Sequence, residues 1–189
     1  MKRAIIIHCW EGYPQYCWYP WVKKELEVKG FQVAVPAFPE TELPKMDRWV
    51  PKLQEVIGVP DENLYLIGHS IGCATIMRYL ETLKENERVG GVVFVAGFTE
   101  NVGYAEIQNF FETPLDLEKI KTKAKKGFVA IHSDDDPYVD LRYANTFKEK
   151  LGAEIIIKHG AKHFSGAIEG EQSCLELPDV VRSIEKINK

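Results

Sequence analysis

The sequence predicts an α/β domain with three layers, α/β/α, around a six-stranded, mainly parallel sheet. Three observations indicate this fold class: strand-length apolar runs recur, helical patterns separate them, and no linker or repeat divides the 189 residues. The runs are nearly continuous in hydrophobicity, which is typical of strands buried on both faces of a parallel sheet. Strands that alternate with helices form such sheets through right-handed crossovers. We therefore predict a single domain over residues 1–189.

The predicted elements follow one another as strand and helix. The strands are short and rich in β-branched residues, at 4–7, 31–35, 63–67, 91–96, 128–131 and 154–157. The helices have apolar positions at helical spacing, at 18–29, 47–57, 71–85, 115–125, 141–151 and 178–187. A long irregular stretch, residues 97–114, follows the fourth strand. Loops of that length are usually functional, and this one could partly cover a site.

Composition and charge exclude several classes of protein. Apolar residues make up 45% and charged residues 28% of the chain, as in soluble globular proteins, and the net charge is −4. No long basic block is present, so we expect no binding to nucleic acid or to a membrane surface. The first apolar run stops before His8 and is too short for a secretory signal. The four cysteines lack zinc spacing, so we expect reduced thiols and a cytoplasmic location.

The motif Gly68-His69-Ser70-Ile71-Gly72 lies where a predicted strand gives way to a predicted helix. A nucleophile elbow has this arrangement: the serine sits on a strained turn, and small residues on each side let strand and helix approach closely. The alternative is a helix N-cap serine between flexible residues. The strand and helix on either side favour the nucleophile. The ring of His69 should point away from the reacting centre.

A serine nucleophile needs a base and an acid that orients the base. In this order of elements both should come later, each after a strand. Asp134, Asp135 and Asp136 follow the fifth predicted strand. Asp136 precedes a proline, which favours the extended backbone that a fixed orienting residue needs. We favour Asp136 as the acid and interpret the other two as solvated turn residues.

Two histidines follow the sixth predicted strand. His159 stands at its end, whereas His163 lies in the following loop and could swing back over Ser70. We therefore favour His163 as the base. We interpret His8 and His132 as structural. No pair of histidines has the spacing of metal ligands, so we predict neither a metal ion nor another cofactor.

The chain resembles the small serine hydrolases related to retinoblastoma-binding protein nine, in the α/β-hydrolase superfamily. The resemblance covers essentially the whole chain and is carried by Gly-His-Ser-Ile-Gly, Asp-Pro-Tyr-Val, Ala-Lys-His-Phe, His-Cys-Trp-Glu-Gly and Trp-Tyr-Pro-Trp. It implies a minimal, lidless α/β-hydrolase fold and a triad of Ser70, Asp136 and His163. It further implies an oxyanion hole made by the backbone N–H groups of Ile71 and Trp10.

The chain departs from that family at two points. His8-Cys9 stands where the family usually has His-Gly, in the loop that forms part of the oxyanion hole. Animal members are linked to pocket proteins through a Leu-x-Cys-x-Glu motif, and none of the four cysteines here stands in such a motif. The sequence therefore gives no support for a pocket-protein partner.

Aromatic residues are frequent in the segment after the first predicted strand and in the long loop after the fourth. The tentative substrate-pocket residues are Trp10, Tyr13, Phe98 and Phe164. Trp18 and Trp21 are better interpreted as anchors of the first helix to the core. Apolar and aromatic walls of this kind suit an acyl or aromatic substrate group.

These observations predict a serine hydrolase that cleaves a small carboxylic ester or thioester through an acyl-enzyme. An amidase, a peptidase or an acyltransferase would use the same triad, and a binding protein could keep the fold without turnover. The expected partner is a small acyl substrate, and the chain is expected to be a monomer or a small homo-oligomer.

Overall fold

The computed structural model describes residues 1–165 and 174–189. Six strands form one sheet: β1 (Arg3–Ile7), β2 (Gln32–Ala34), β3 (Leu64–His69), β4 (Gly91–Val95), β5 (Phe128–Ser133) and β6 (Glu154–Lys158). Their order across the sheet is β2-β1-β3-β4-β5-β6, and every neighbouring pair is parallel. The predicted fold class is confirmed, and all six predicted strands are present with shifted ends.

In the described ranges, six α-helices connect or follow these strands: α1 (Tyr19–Val28), α2 (Met46–Ile57), α3 (Ile71–Thr82), α4 (Leu117–Lys121), α5 (Arg142–Thr146) and α6 (Pro178–Ile187). A π-helical turn, Phe147–Leu151, continues α5. The fourth helix is much shorter than the predicted 115–125. The predicted second half is not helical, because the backbone at 123–125 forms a β-bridge with Val89 beside the sheet.

The sheet is covered on both faces, which explains why its strands are apolar throughout. Alternate residues of β1 enter different cores: Ile5 and Ile7 pack in the core that includes α2 and α3, whereas Ala4 and Ile6 pack in the core that includes α1 and α6. Successive strand side chains point to opposite faces, so one apolar run supplies both layers. In the part of the chain that the structure describes, no helix combines the length and hydropathy that a membrane span requires.

The long irregular stretch is packed and contains a 3-10 helix, Ala105–Phe110. Its side chains Phe98, Ile107 and Phe110 are buried. The guanidinium of Arg78, itself buried on α3, donates through Nε to the carbonyl oxygen of Phe110 at 2.8 Å and through a terminal nitrogen to that of Thr113. These contacts hold the stretch above the carboxyl edge of the sheet, next to Ser70.

Candidate active site

Ser70 occupies a strained turn between β3 and α3. Its backbone has φ 55° and ψ −120°, a left-handed φ that non-glycine residues seldom adopt. Its N–H donates to the carbonyl oxygen of Val95 at 2.9 Å, and its side chain makes no capping hydrogen bond to the helix. Ser70 stands at the N-cap position of α3, but without a capping hydrogen bond the N-cap alternative does not explain its hydroxyl. Ser70 also lines a cavity.

The two glycines of the motif are required by close backbone contacts. A Cβ atom on Gly72 would lie 2.4 Å from the carbonyl oxygen of Ile7 and 2.8 Å from that of His8. A Cβ atom on Gly68 would lie 2.8 Å from the backbone nitrogen of Cys73. These are backbone atoms that cannot rotate away, so only glycine lets α3 cross the end of the sheet here.

Asp136 and His163 are brought together by the loops after β5 and β6. His163 Nδ1 donates to the carboxylate oxygens of Asp136, at 2.8 Å to Oδ2 and 3.0 Å to Oδ1. The carboxylate is 2% exposed and also accepts the backbone N–H groups of Tyr138 and Val139, at 2.9 and 3.1 Å. Because an ionised carboxylate only accepts, the neutral histidine carries its proton on Nδ1 and leaves Nε2 as an acceptor.

A second histidine–aspartate pair lies on the surface. His159 Nδ1 is 2.5 Å from Asp134 Oδ2, and the His159 side chain is 88% exposed. Neither residue lines the cavity that contains Ser70. Of the two histidines, His163 lines the cavity with Ser70, and Asp136 is its hydrogen-bond partner.

Asp134 and Asp135 lie in a turn, with Asp134 exposed and Asp135 half-buried, as the sequence predicts, but their carboxylates also bond to the loop that carries His163. Asp134 Oδ1 accepts the backbone N–H of Gly160 at 3.1 Å, and Asp135 Oδ1 accepts that of Lys162 at 2.9 Å. The Lys162 ammonium also pairs with Asp135 Oδ2 at 2.9 Å. Both carboxylates therefore hold the backbone of the loop that carries His163. Adjacent aspartates looked like an ordinary turn in sequence because their partners are more than twenty residues away.

Ser133 completes this connection between the two loops. Its hydroxyl donates to Asp135 Oδ1 at 2.8 Å and accepts the N–H of Ala161 at 3.0 Å. Hydrogen bonds from the side chains of Lys162 and Ser133 lower the pKa of Asp135 to about 2. The hydrogen bond from His159 lowers the pKa of Asp134 as well. We call Ser133, Asp134 and Asp135 the carboxylate clamp.

His69 links the same histidine loop to the loop after β1. Its Nε2–H donates to the carbonyl oxygen of His163 at 2.7 Å, and its Nδ1 accepts the hydroxyl of Tyr19 at 2.7 Å. The Tyr19 oxygen in turn accepts the N–H of Cys9 at 3.0 Å. Burial lowers the pKa of His69 to about 3, so the ring is neutral. The ring does not line the cavity, as its position in the motif predicts.

The remaining buried histidines have structural contacts. His8 Nδ1 donates to the carbonyl oxygen of Cys9 at 2.8 Å, and its Nε2 accepts the N–H of Phe38 at 3.2 Å. His132 lies against Phe147, and burial lowers its pKa to about 4. Within residues 1–165 and 174–189, no three histidine, cysteine or acidic side chains are grouped so that they could hold a metal ion.

Ser70 and His163 share a cavity of about 400 Å³ at the carboxyl edge of the sheet. Its other lining residues are Cys9, Trp10, Glu11, Tyr16, Ile71, Phe98, Val102, Tyr104, Ile107, Tyr138, Val139 and Ser165. The tentative pocket residues Trp10 and Phe98 are among them. Sequence reasoning did not single out Tyr16, Val102, Ile107 or Tyr138. The position of Tyr138 two residues after Asp136 could have revealed it.

Two tentative pocket residues do not line the cavity, and these expectations are corrected. Tyr13 is 53% exposed and lies against Tyr16 on the outer surface, with ring centroids 5.3 Å apart. Phe164 is fully buried in the core that includes α1 and α6. Its backbone has φ 55°, which turns the side chain into the core immediately after His163. Trp18 is fully buried and Trp21 packs against the same core, as helix anchors should.

The all-parallel sheet with helices on both faces, and a strained serine between β3 and α3, define an α/β-hydrolase fold. The cavity beside that serine also receives a histidine from the loop after the last strand, with its aspartate partner. The chain belongs to the serine hydrolase family, whose sequence profile matches residues 4–174.

Individual relatives agree with this assignment. The chain is 31% identical to YdeN of Bacillus subtilis (strain 168) over 165 residues, 86% of each chain. It is 29% identical to the serine hydrolase RBBP9 of Rattus norvegicus over 150 residues, 78% of this chain and 77% of the relative. The crystal structure of the B. subtilis ydeN product superposes with a TM-score of 0.89 at 28% identity, over 100% of this chain and 99% of the other. The chain is thus an RBBP9-related small serine hydrolase.

A more distant structure shares the fold alone. Est1E from Butyrivibrio proteoclasticus, solved with ferulic acid bound, superposes with a TM-score of 0.73 at 14% identity. The superposition covers 100% of this chain and 88% of Est1E.

Proposed function

We propose that the protein hydrolyses a small carboxylic ester or thioester through an acyl-enzyme formed on Ser70. The observation that supports this proposal is that His163, hydrogen-bonded to the buried carboxylate of Asp136, shares a cavity with Ser70 on its strained turn. A serine hydroxyl is a weak nucleophile at neutral pH and needs a neighbouring base that a third group orients.

His163 acts as the base in this mechanism. Asp136 holds the proton on Nδ1, so the lone pair of Nε2 is available to take the proton of Ser70 as its oxygen attacks the substrate carbonyl. The imidazolium that forms is stabilised by the adjacent carboxylate. It then gives the proton to the leaving alcohol or thiol. Water, activated by the same histidine, releases the acid and restores the serine.

The oxyanion of the tetrahedral intermediate would be held by the N–H groups of Ile71 and Trp10. Ile71 is the first residue of α3, so its N–H has no acceptor within the helix, and the helix dipole adds positive potential. Trp10 follows Cys9, whose own N–H already donates to Tyr19. Both donors belong to residues that line the cavity. Removing one such donor in an enzyme typically costs about 100- to 1000-fold in kcat.

The cavity supports a small substrate with an apolar acyl group. Its volume of about 400 Å³ is at the lower end of ligand pockets, and its walls include Ile71, Phe98, Val102 and Ile107. The packed 97–114 stretch closes one side. We expect short p-nitrophenyl esters to be cleaved faster than esters of long-chain acids, and a strong preference for the long chains would contradict the small-substrate proposal.

Labelling with a fluorophosphonate tests the nucleophile and its base. We expect wild-type protein to be labelled, and Ser70→Ala and His163→Ala to lose both labelling and p-nitrophenyl acetate hydrolysis. Ser183→Ala, which removes a buried hydroxyl on α6, and His159→Ala, which removes the exposed histidine, are the matched controls and should label normally. Labelling that persists in Ser70→Ala would overturn the proposal.

A further inference from the structure

Among the residues that the structure describes, the cavity wall contains one carboxylate and no lysine or arginine side chain. Glu11 is the only acidic residue among the lining residues, and no lysine or arginine is among them. Among these lining residues, His163 alone has a side-chain nitrogen that can be protonated. A negative charge near the cavity disfavours anionic ligands and favours cationic ones. Polyanionic thioester carriers therefore fit the cavity poorly.

Five aromatic side chains line the same cavity, namely Trp10, Tyr16, Phe98, Tyr104 and Tyr138. The rings of Trp10 and Tyr104 meet nearly perpendicularly, with centroids 5.5 Å apart and an interplanar angle of 81°. The Trp10 ring is held by a hydrogen bond from Nε1 to the carbonyl oxygen of Glu42, at 2.9 Å. Aromatic walls that meet at a corner, with a carboxylate nearby, are the elements that bind ammonium groups in proteins.

The backbone of Glu11 is held in a costly conformation. Its φ is 56°, in the left-handed region, and its N–H donates to the carbonyl oxygen of Thr41 at 2.9 Å. In the part of the chain that the structure describes, its carboxylate has no hydrogen-bond or ion-pair partner. Glycine or asparagine would adopt this backbone at lower cost. Strain of this kind clusters at functional sites, and Glu11, unlike Glu40 with φ 50°, also lines the cavity.

We infer that the substrate carries a cationic ammonium group close to its ester, bound by the Glu11 carboxylate and the aromatic walls of the cavity. This inference rests on the proposed ester hydrolysis and names the class of ester. The cation would lie among Trp10, Tyr16 and Tyr104, while the carbonyl lies against Ser70. The exposure of Glu11 places it on the open side of the cavity, where charge can also steer the approach of substrate.

The test uses two esters that differ only in charge: acetylcholine and its neutral isostere 3,3-dimethylbutyl acetate, with acid release followed by pH-stat. We expect kcat/KM of the wild type to be about tenfold higher for the cationic ester. Glu11→Gln should lower that ratio by about threefold to tenfold. Tyr104→Leu should lower it by removing one aromatic wall. Raising the ionic strength should lower it in the wild type as well.

Glu40→Gln is the matched control. It removes one carboxylate from an exposed position on the loop adjacent to the cavity without touching the cavity wall, and its ratio should equal that of the wild type. A wild-type ratio near one, or equal changes in Glu11→Gln and Glu40→Gln, would overturn the inference while leaving ester hydrolysis intact. If neither ester is turned over, their relative protection of Ser70 from fluorophosphonate supplies the ratio. Absence of any Ser70 labelling would instead defeat the proposed function.

Discussion

Backbone strain is concentrated at individual residues around the cavity. In the described part of the chain, seven non-glycine residues have positive φ, and they include Glu11, Ser70, Lys162 and Phe164. The first two line the cavity, and the last two flank His163. Each such conformation costs on the order of 1–3 kcal/mol and persists only where surrounding contacts fix it. These contacts include the packing of Phe164 and the hydrogen bonds of the carboxylate clamp.

Gly72→Ala should destabilise the fold by more than about 2 kcal/mol, because its Cβ would clash with two backbone carbonyl oxygens of the β1 strand end. The measurement is the free energy of unfolding from urea denaturation. Gly152→Ala is the control: φ is 67° and ψ 26° there, the left-handed α conformation, and no atom lies within 4 Å of the new Cβ, so about 1 kcal/mol of backbone strain is expected. Equal losses in the two variants would contradict the steric explanation.

Tyr19→Phe should lower the free energy of unfolding by about 2 kcal/mol. The change leaves the buried N–H of Cys9 and the Nδ1 of His69 without their hydrogen-bond partner. Tyr79→Phe removes the same hydroxyl from a buried site where, within the described residues, it has no partner, so it should be neutral or stabilising. Chemical denaturation of both variants checks the difference, and similar destabilisation of both would refute the assigned network.

At the scale of elements, the loops after β5 and β6 behave as one unit. The side chains of the carboxylate clamp accept three successive backbone N–H groups of the loop after β6, at residues 160–162. Asp136 in the same β5 loop accepts a further hydrogen bond from the His163 ring. The depressed pKa values of Asp134 and Asp135 keep both carboxylates ionised. The stabilising contribution of each is present above its ordinary pKa and is lost as pH falls through the lowered one. The clamp is therefore intact at neutral pH and fails only in strong acid.

Asp135→Asn should lower kcat by about tenfold and change KM by less than about twofold, because a displaced histidine loop misplaces the base more than it changes the cavity wall. The pH dependence should retain its shape, since the base itself is unchanged. Asp140→Asn is the matched control, because within the described residues the Asp140 side chain bonds only the N–H of Arg142 in its own turn. Steady-state kinetics with a p-nitrophenyl ester test this, and a loss confined to KM would contradict a positioning role.

At the scale of the whole molecule, three neutral histidines are buried along the carboxyl edge of the sheet. His8 follows β1, His69 ends β3 and His132 lies within β5. Burial is the largest cause that lowers the pKa of each. The unfolded chain therefore binds more protons than the folded protein below pH 6.5, and stability must fall as the solution is acidified from that point.

His132→Leu should flatten this acid dependence. With a folded pKa of about 4 against 6.5 in the unfolded chain, His132 costs the wild type about 2–3 kcal/mol between pH 7 and 4.5. The variant should lose correspondingly less over that interval, measured by urea denaturation at each pH. Parallel curves for wild type and His132→Leu would show that His132 does not contribute.

Local patterns were sufficient to predict most of the fold and the elements of the candidate site. The apolar runs located all six strands, since a strand buried on both faces leaves a continuous signature. The Gly68–Gly72 motif located the turn, because neighbouring backbone atoms lie too close to its two glycines for any side chain to fit. Parallel topology then implied that the residues after β5 and β6 share an edge with Ser70.

The sequence favoured Asp136 and His163, but only the tertiary structure shows that these two meet and that Asp134 bonds His159 instead. The proline after Asp136 favoured it as the acid, but its contact with His163 depends on single backbone torsions. Examples are the left-handed φ values of Lys162 and Phe164, which flank His163, while His159 stays in solvent. The same torsions bury Phe164 in the core instead of in the cavity. Periodicity reports which face of an element is buried. Distances between side chains on separate loops depend on how both loops fold against each other, and no local pattern encodes them.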